Sequence, residues 1–188
     1  MRAAAVAIVS IVLGGVGGAL CDQIHVQTGV LSYPRPFLLD QAWWVAPVFG
    51  AGAPLVLFGA LPFARAATDP RRRDLLVGFA WFLGAYLGSG LVGDRAPVLY
   101  AAVLGVTWLG RVALAPAPRA PLVVYSLLLA AAGCLWEGWL SSTGAFAYAR
   151  PLYWVPVWLP GIYLHGAPLA IACSRKSLSS TSTSGGIS

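Results

Sequence analysis

The chain of 188 residues is 59% hydrophobic and only 10% charged, and its mean hydropathy is +0.77. Soluble domains contain ~45–50% apolar residues, so this composition excludes an ordinary soluble domain and predicts one integral membrane domain. The net charge of +6 would suit a nucleic-acid ligand, but the charges are distributed as in a membrane protein, and we predict no nucleic-acid partner.

Six hydrophobic segments are long enough to cross a bilayer, which takes about 20 apolar residues in a helix. In chain order these spans cover 3–21, 42–62, 75–93, 96–115, 121–140 and 152–173. The predicted fold class is therefore all-α, a bundle of six transmembrane helices that forms one membrane domain over residues 1–176. The tail that follows, 177–188, is rich in Ser, Thr and Gly and is expected to be disordered.

The first span has an alternative interpretation as a signal peptide, because Arg2 precedes it and small residues end it. The apolar run is long for a signal, and Leu20 before Cys21 does not suit a lipoprotein cleavage site. The sequence therefore favours a membrane span.

Basic residues sort onto one side of the six spans. One side holds only Arg35, Arg95 and Arg150. The other side, which includes both chain ends, holds the rest: Arg2, Arg65, Arg71, Arg72, Arg73, Arg111, Arg119, Arg175 and Lys176. Because cytoplasmic loops carry the excess of Lys and Arg in membrane proteins, both termini are predicted to be cytoplasmic.

Two segments combine tryptophan with proline. One reads AWWVAPVFGAGAPL from Ala42, and the other reads PLYWVPVWLPGIYLHGAPL from Pro151. Proline inside a helix removes a backbone donor and kinks the axis, so Pro47, Pro54 and Pro160 are predicted to shape gaps in which a lipid can lie. The tryptophans suit the membrane–water interface. The shared letters GAPL run in the same direction and are too short to indicate a repeat.

The segment 22–41 is the one long loop expected between spans, on the non-cytoplasmic side. It contains His25 and Gln27. Both a re-entrant or surface-lying piece and a plain loop fit this segment.

No catalytic motif, nucleotide-binding loop or metal-ligand spacing occurs in the sequence. We therefore predict no catalytic residue, no metal and no cofactor. The ionisable residues near apolar segments are Asp94, Glu137 and His165, and such groups are functional candidates in a membrane. Asp94 fits a tight turn between spans 3 and 4. Glu137 either reaches the interface or lines the mouth of a cavity, and His165 favours an interhelical hydrogen bond.

Span 3 carries an aromatic stripe, because Phe79, Phe82 and Tyr86 follow helical spacing and share one face. On spacing alone this stripe favours packing in the core.

Pairs of glycines four residues apart occur at Gly14 and Gly18 and at Gly84 and Gly88. Small residues at this spacing let helices approach closely, which serves either internal packing or self-association. We predict a homo-oligomer, either a dimer or a trimer.

The tryptophan and proline motifs resemble those of the Insig family, the endoplasmic-reticulum membrane proteins of sterol regulation. The family's second span opens with A-W-W-V-x-P-x-x-G, which here is 42–50. Its last span carries W-L-P, which here begins at Trp158. Its third span reads A-x-F-V-G, which here is A-W-F-L-G at 80–84, followed by Ser89. The resemblance covers nearly the whole chain and includes the six-span topology.

This resemblance implies a non-enzymatic lipid-binding and lipid-sensing protein that holds a sterol, a diacylglycerol or an isoprenoid in a cavity between transmembrane helices. The family's pocket phenylalanine falls on Phe82. The residues predicted to contact lipid are aromatic apart from one glutamine: Phe82, Tyr86, Phe79, Gln27, Trp44, Trp108 and Trp158.

One departure bears on partners. Family members retain the membrane protein Scap through an aspartate in span 4, but this chain has Gly110 and Arg111 there. A Scap-like partner is therefore not expected. The abundance of Arg, Ala and Gly suggests a bacterial origin, so we expect the cell membrane rather than the endoplasmic reticulum of the eukaryotic family.

Two other functions fit the sequence. One is a membrane enzyme that acts on an isoprenoid or carotenoid-like lipid with Glu137 as the acid or base. The other is a small transporter, which would be expected to contain inverted repeats and facing half-helices.

Overall fold

The computed structural model describes residues 2–182, with side chains from 7 to 178. This part of the chain contains six helices and two short strands. In chain order the elements are α1 Arg2–Gln27, β1 Leu31–Ser32, α2 Val45–Ala64, α3 Arg72–Gly88, α4 Pro97–Leu114, α5 Ala120–Ser142, β2 Ala147–Tyr148 and α6 Leu159–Ser182. A π-turn, Ser89–Gly93, continues α3. The predicted helical class is confirmed, with the strand pair as an addition.

Five helices in this part of the chain are long and apolar enough to cross a membrane. They are Ala7–Gln27, Val45–Ala64, Arg72–Gly93 with its π-turn, Pro97–Leu114 and Ala120–Ser142. Helix α6 follows the predicted span 152–173 but is less apolar, because Arg175 and Lys176 lie in its second half. The chain is a multi-pass membrane protein.

Helix α1 is longer than the predicted span. It continues to Gln27, so that His25 and Gln27 are helical rather than part of a loop. It stops before Gly29, whose φ of +75° lies in the left-handed region that glycine adopts easily. The N–H of Val30 then bonds back to the carbonyl of His25 at 2.9 Å. This glycine, rather than the first charged residue of the segment, ends the helix.

Helices α2 and α6 begin later than predicted. Helix α2 starts at Val45 rather than at 42, and α6 starts at Leu159 rather than at 152. Proline disfavours the helical conformation in the residue before it, and Pro156 therefore delays the start of α6. At its other end α6 extends to Ser182, into the tail predicted to be disordered. Residues 183–188 of that tail lie outside the described residues.

The predicted kink prolines occupy two kinds of position. Pro47 and Pro160 lie in the first turns of α2 and α6, where proline removes no interior hydrogen bond. Pro54 lies inside α2, as predicted, and Pro62 and Pro168 are also inside helices. Only the interior prolines can bend an axis.

Helix α6 lies at the centre of the bundle and packs against α2, α3, α4 and α5. Its residues Leu159, Ile162 and His165 are fully buried. Gly161 permits the close approach of α4, because a Cβ at this position would lie 2.6 Å from the Cβ of Leu104.

Three of the glycines predicted to allow close approach face neighbouring helices within the chain. Gly14 and Gly18 of α1 face Ala53 and Phe49 of α2, and Gly88 of α3 faces the ring of a tyrosine in α4. These glycines serve internal packing.

An internal repeat relates the segment after α1 to the segment after α5. Gly29 and Gly144, at the ends of these two helices, have φ values of +75° and +76°. The strands that follow pair antiparallel, with Ser32 opposite Ala147. These two residues are equivalent in the repeat, so their pairing places a local twofold axis between them.

The repeat continues into the next helices. The bridges between Leu38 and Gln41 and between Leu152 and Val155 close equivalent tight turns before α2 and α6. The shared letters GAPL follow inside both helices. The judgement that GAPL was too short to indicate a repeat was wrong, because the repeat lies in backbone geometry as well as in letters. It relates α1–β1–α2 to α5–β2–α6, and both halves run in the same direction.

Candidate functional site

Each half of the repeat contains a carboxylate near the end of a helix and a tyrosine on the segment that follows. The hydroxyl of Tyr33 donates to Oδ2 of Asp22 at 2.8 Å. At the equivalent place in the other half, the hydroxyl of Tyr148 donates to Oε2 of Glu137. The local twofold axis therefore brings two carboxylate–tyrosine pairs to one end of the bundle.

A second neutral donor reaches each carboxylate. The side-chain amide of Gln41 donates to Asp22 Oδ2 at 2.9 Å, and the hydroxyl of Tyr163 donates to Glu137 Oε1. No basic side chain in the described part of the chain forms an ion pair with either carboxylate. Carboxylates at membrane depth without a cation are costly and are functional candidates by default.

The two tyrosines outside the helices remain neutral donors. Burial, followed by the negative charge of Asp22, raises the pKa of Tyr33 far above its ordinary value, and the charge of Glu137 adds to this. Burial and the charge of Glu137 likewise raise the pKa of Tyr148. The ring of Phe146 meets the rings of both Tyr33 and Tyr148, with centroids 6.1 and 5.4 Å apart, so the two pairs lie together in one polar cluster.

A buried aromatic group lies beside this polar cluster. His25 stacks on Tyr86 with ring centroids 5.2 Å apart and lies 5.4 Å from the ring of Trp158. The Nε2 atom of His25 is 2.7 Å from Oγ of Ser89, the first residue of the π-turn. Because the Ser89 hydroxyl donates to the carbonyl of Tyr86 at 2.8 Å, we assign the histidine as the donor. Trp158 also meets Tyr148 edge to face at 6.3 Å.

Four of the predicted lipid contacts lie in or beside this group. Tyr86 and Trp158 belong to it, and Phe82 meets Tyr86 edge to face at 5.2 Å. Trp44 meets Tyr33 edge to face at 5.6 Å, the counterpart in the repeat of the contact between Trp158 and Tyr148.

The remaining three predicted contacts lie elsewhere. Phe79 is 54% exposed, because α3 buries the face around Gly78 and Tyr86 instead. Gln27 is exposed at the end of α1. Trp108 is buried in α4, outside the aromatic group. The expectation that Phe79 shares a buried face with Phe82 was wrong.

Two indole donors are buried without a partner among the described residues. They are the Nε1 atoms of Trp108 and Trp158, and Trp158 is 0% exposed. An unpaired buried donor costs about 1–3 kcal/mol. Each indole N–H therefore lacks an acceptor that the described residues could supply.

An open groove of about 350 Å³ lies between the two halves of the repeat. Its walls include the rings of Tyr33 and Tyr148, whose hydroxyls reach the two carboxylates, and the exposed aromatic residues Tyr153 and Trp154. The groove thus lies against the two tyrosines that bond the carboxylates.

The three ionisable candidates have different surroundings. Asp94 lies in the turn before α4, as predicted. Glu137 lies in the polar cluster. His165 makes the predicted interhelical hydrogen bond, with Nε2 at 3.1 Å from the carbonyl of Leu104.

Sequence reasoning missed the partners of these groups. It placed His25 in a loop and did not connect Asp22 with Tyr33 or Glu137 with Tyr148. The sequence does contain a pattern that indicates these pairs. An acid, the dipeptide Thr-Gly and a tyrosine follow one another twice, with identical spacing.

These features define a helical multi-pass membrane protein with a polar and aromatic site at one end of the bundle. No family model and no curated protein matches the chain. Two solved structures share its fold, each with a TM-score of 0.70, 24% sequence identity, and coverage of 92% of this chain and 93% of the other. One is MvINS, a mycobacterial Insig homolog from Mycobacterium vanbaalenii, and the second is a cross-linked MvINS trimer. The chain thus has the fold of a mycobacterial Insig homolog, and the resemblance noted in the sequence is confirmed at the level of the fold.

Proposed function

We propose that this protein is a non-enzymatic, Insig-like membrane protein that binds a neutral lipid between its helices. The lipid is a sterol, a diacylglycerol or an isoprenoid. The observation that carries the proposal is the indole of Trp158, which is wholly buried and whose N–H has no partner among the described residues. A hydroxyl or ester oxygen of the lipid supplies the acceptor.

The surroundings of Trp158 favour an apolar ligand with a small polar end. Tyr86 stacks on His25 next to Trp158, and Phe82 contacts Tyr86, so the neighbours are aromatic. The groove beside Tyr148 has a volume within the range of small-molecule sites, ~300–1,000 Å³. The exposed rings of Tyr153 and Trp154 suit the membrane–water interface. These contacts support a lipid that enters at the interface and extends toward α3.

The charge of the site favours a neutral lipid over an anionic one. Asp22 and Glu137 accept hydrogen bonds from the two tyrosines that line the groove and from other neutral donors, and no cation among the described residues forms an ion pair with them. A phosphate brought into this cluster would face two carboxylates with no compensating cation. Lipid hydroxyls carry no such penalty.

The remaining predicted features belong to the same proposal. Trp44 supports the wall at Tyr33, and Pro54 shapes α2. Self-association as a dimer or trimer is supported by the cross-linked trimer of MvINS. A place in the cell membrane follows from the apolar helices if the source is bacterial. Retention of a Scap-like partner is not proposed, because Arg111 stands in the family's aspartate region.

Native mass spectrometry of protein purified in a mild detergent tests this proposal. Trp158→Phe removes the N–H and keeps a ring, and Phe82→Ala removes part of the wall. Both should release a lipid that the wild type holds in stoichiometric amount. Trp43→Phe and Phe79→Ala are the matched controls, because these side chains are 70% and 54% exposed, and they should retain the lipid.

Three outcomes would count against the proposal. Equal lipid retention by Trp158→Phe and the wild type would remove the indole from the site. A random sample of bulk phospholipid in the wild type would remove the neutral-lipid assignment. A lipid altered chemically by the wild type but not by Glu137→Gln would favour the membrane enzyme instead.

Transport is a second candidate, which the internal repeat favours. Several transporters consist of parallel repeats related by an axis along the membrane normal, with the substrate at the interface of the repeats. Here the polar cluster of Asp22 and Glu137 lies at that interface. Ligand-dependent flux in liposomes that Glu137→Gln abolishes would establish this function, and binding without flux would exclude it.

A further inference from the structure

Arg111 directs its charge into the bundle near the far end of α4. Its Nη1 atom is 2.9 Å from Nδ1 of His165 and 3.2 Å from the carbonyl of the same residue, in α6. Its Cζ atom lies 5.6 Å from the ring centroid of Trp81, in α3. This one side chain therefore links three helices.

The charge of Arg111 has no acidic partner among the described residues. Its N–H donates to Nδ1 of His165, so Nε2 of that ring carries the hydrogen and faces the carbonyl of Leu104 at 3.1 Å. A histidine in this tautomer is neutral and cannot balance the arginine. The hydroxyl of Thr107 is also uncharged and donates to Val103 at 2.7 Å.

Two donor groups of Arg111 are left for a ligand. In the described part of the chain its hydrogen bonds use Nη1 alone. The Nε and Nη2 atoms have no partner there and are not fully buried, so a ligand can reach them. These two N–H groups lie on one edge of the planar guanidinium. That edge matches two oxygens of a phosphate or carboxylate.

A groove on α3 adjoins this arginine. It has a volume of about 310 Å³ and is lined by Val77, Ala80 and Trp81, which all face outward. The ring of Trp81 stacks on His165 with centroids 5.3 Å apart and planes at 13°. The Trp81 ring thus contacts His165, and the same residue forms part of an apolar surface that suits an acyl chain.

We propose that Arg111, Trp81 and this groove form a binding site for an anionic phospholipid. The phosphate accepts from Nε and Nη2 of Arg111, and an acyl chain lies along Val77 and Ala80. The site is near the end of the bundle that carries the arginine-rich segment 71–73, where basic pockets between helices attract anionic headgroups. It differs from the neutral-lipid site in place and in charge, because that site contains carboxylates.

Native mass spectrometry with two added lipids tests the proposal. Phosphatidylglycerol and phosphatidylcholine with identical acyl chains are compared on the full chain. The wild type should bind phosphatidylglycerol about tenfold more tightly, because both lipids contain the phosphate but only phosphatidylglycerol has a net negative charge to balance Arg111. Arg111→Gln should abolish this preference. Arg65→Gln removes the same charge from an exposed position on the same predicted side and should preserve it.

Two further variants keep the test decisive if Arg111→Gln fails to fold. Arg111→Lys keeps the charge but loses the planar edge, so the preference should fall without disappearing. Trp81→Leu leaves the arginine in place and should weaken binding of both lipids by removing the wall of the groove.

Several results would overturn the proposal. They are equal binding of the two lipids by the wild type, an unchanged preference in Arg111→Gln, and an equal loss of preference in Arg65→Gln. Inorganic phosphate at the concentration of the lipid should not displace phosphatidylglycerol. Displacement would show that a free anion, rather than a lipid, is the ligand.

Discussion

Removal of the tyrosine hydroxyl should lower the free energy of unfolding by different amounts in the two carboxylate–tyrosine pairs. Tyr148→Phe and Tyr33→Phe each remove one hydroxyl and keep the ring. Glu137 receives its two hydrogen bonds on separate oxygens, so the loss of Tyr148 leaves Oε2 without this donor. Asp22 receives both of its bonds on Oδ2, so Gln41 continues to donate to that oxygen after the loss of Tyr33.

The magnitudes follow from this difference. A hydrogen bond to a charged group contributes about 1.5–3 kcal/mol, and a buried acceptor left bare adds its own cost of desolvation. We therefore expect Tyr148→Phe to lower the free energy of unfolding by about 2 kcal/mol and Tyr33→Phe by about 1 kcal/mol. The ring contacts of Tyr148 with Phe146 and Trp158, at 5.4 and 6.3 Å, are unchanged by the substitution.

Reversible unfolding in mixed micelles with increasing sodium dodecyl sulfate, followed by tryptophan fluorescence, measures these free energies. Tyr153→Phe is the control, because that side chain is 88% exposed and its loss should change the free energy of unfolding by less than ~0.5 kcal/mol. Equal losses for Tyr33→Phe and Tyr148→Phe, or a larger loss for Tyr33→Phe, would refute the reasoning from separate oxygens.

Two more predictions follow from the repeat. Gly29→Ala and Gly144→Ala should each lower the free energy of unfolding by about 1 kcal/mol, because both positions have left-handed φ values; Gly17→Ala, whose new Cβ would meet no atom within 4 Å, should not. A loss at only one of the two positions would contradict their equivalence. The raised pKa values of Tyr33 and Tyr148 predict that stability falls above about pH 10, because the unfolded tyrosines release their protons first. Ultraviolet titration that shows all tyrosines ionising near pH 10 in the folded protein would contradict this.

The helices could be predicted from the sequence because each is a long apolar run. Their ends could not be predicted from hydropathy alone. Gly29 ends α1 through its backbone conformation, and Pro156 delays the start of α6 within a run that remains apolar. A hydropathy profile detects neither the backbone conformation of a glycine nor the restriction that a proline places on its neighbour.

The candidate site could be predicted only in part. The aromatic stripe of span 3 predicts Tyr86 and the W-L-P motif predicts Trp158, and the structure brings these two residues together around His25. The pairing of Asp22 with Tyr33 depends on a helix end and a strand that meet in three dimensions. This contact cannot be predicted from the position of the acid alone. Comparison of the two halves of the sequence does suggest it.

The misplacement of Phe79 has a similar cause. Helical spacing puts it on the face of Phe82, but the face that α3 buries is set by the helix against which it packs. Gly78 meets Leu169 of α6, with an added Cβ only 3.4 Å from that residue. This contact leaves Phe79 at the edge of the interface.

The most direct test of lipid binding at Trp158 is the indole N–H signal of this residue in ¹⁵N-labelled protein. The spectrum is recorded with the copurified lipid, after its removal, and after it is added back. If a lipid oxygen accepts from this N–H, the Trp158 signal moves on removal and returns on addition, while the signal of the exposed Trp43 stays in place. An unchanged Trp158 signal in all three spectra would contradict lipid binding at this residue.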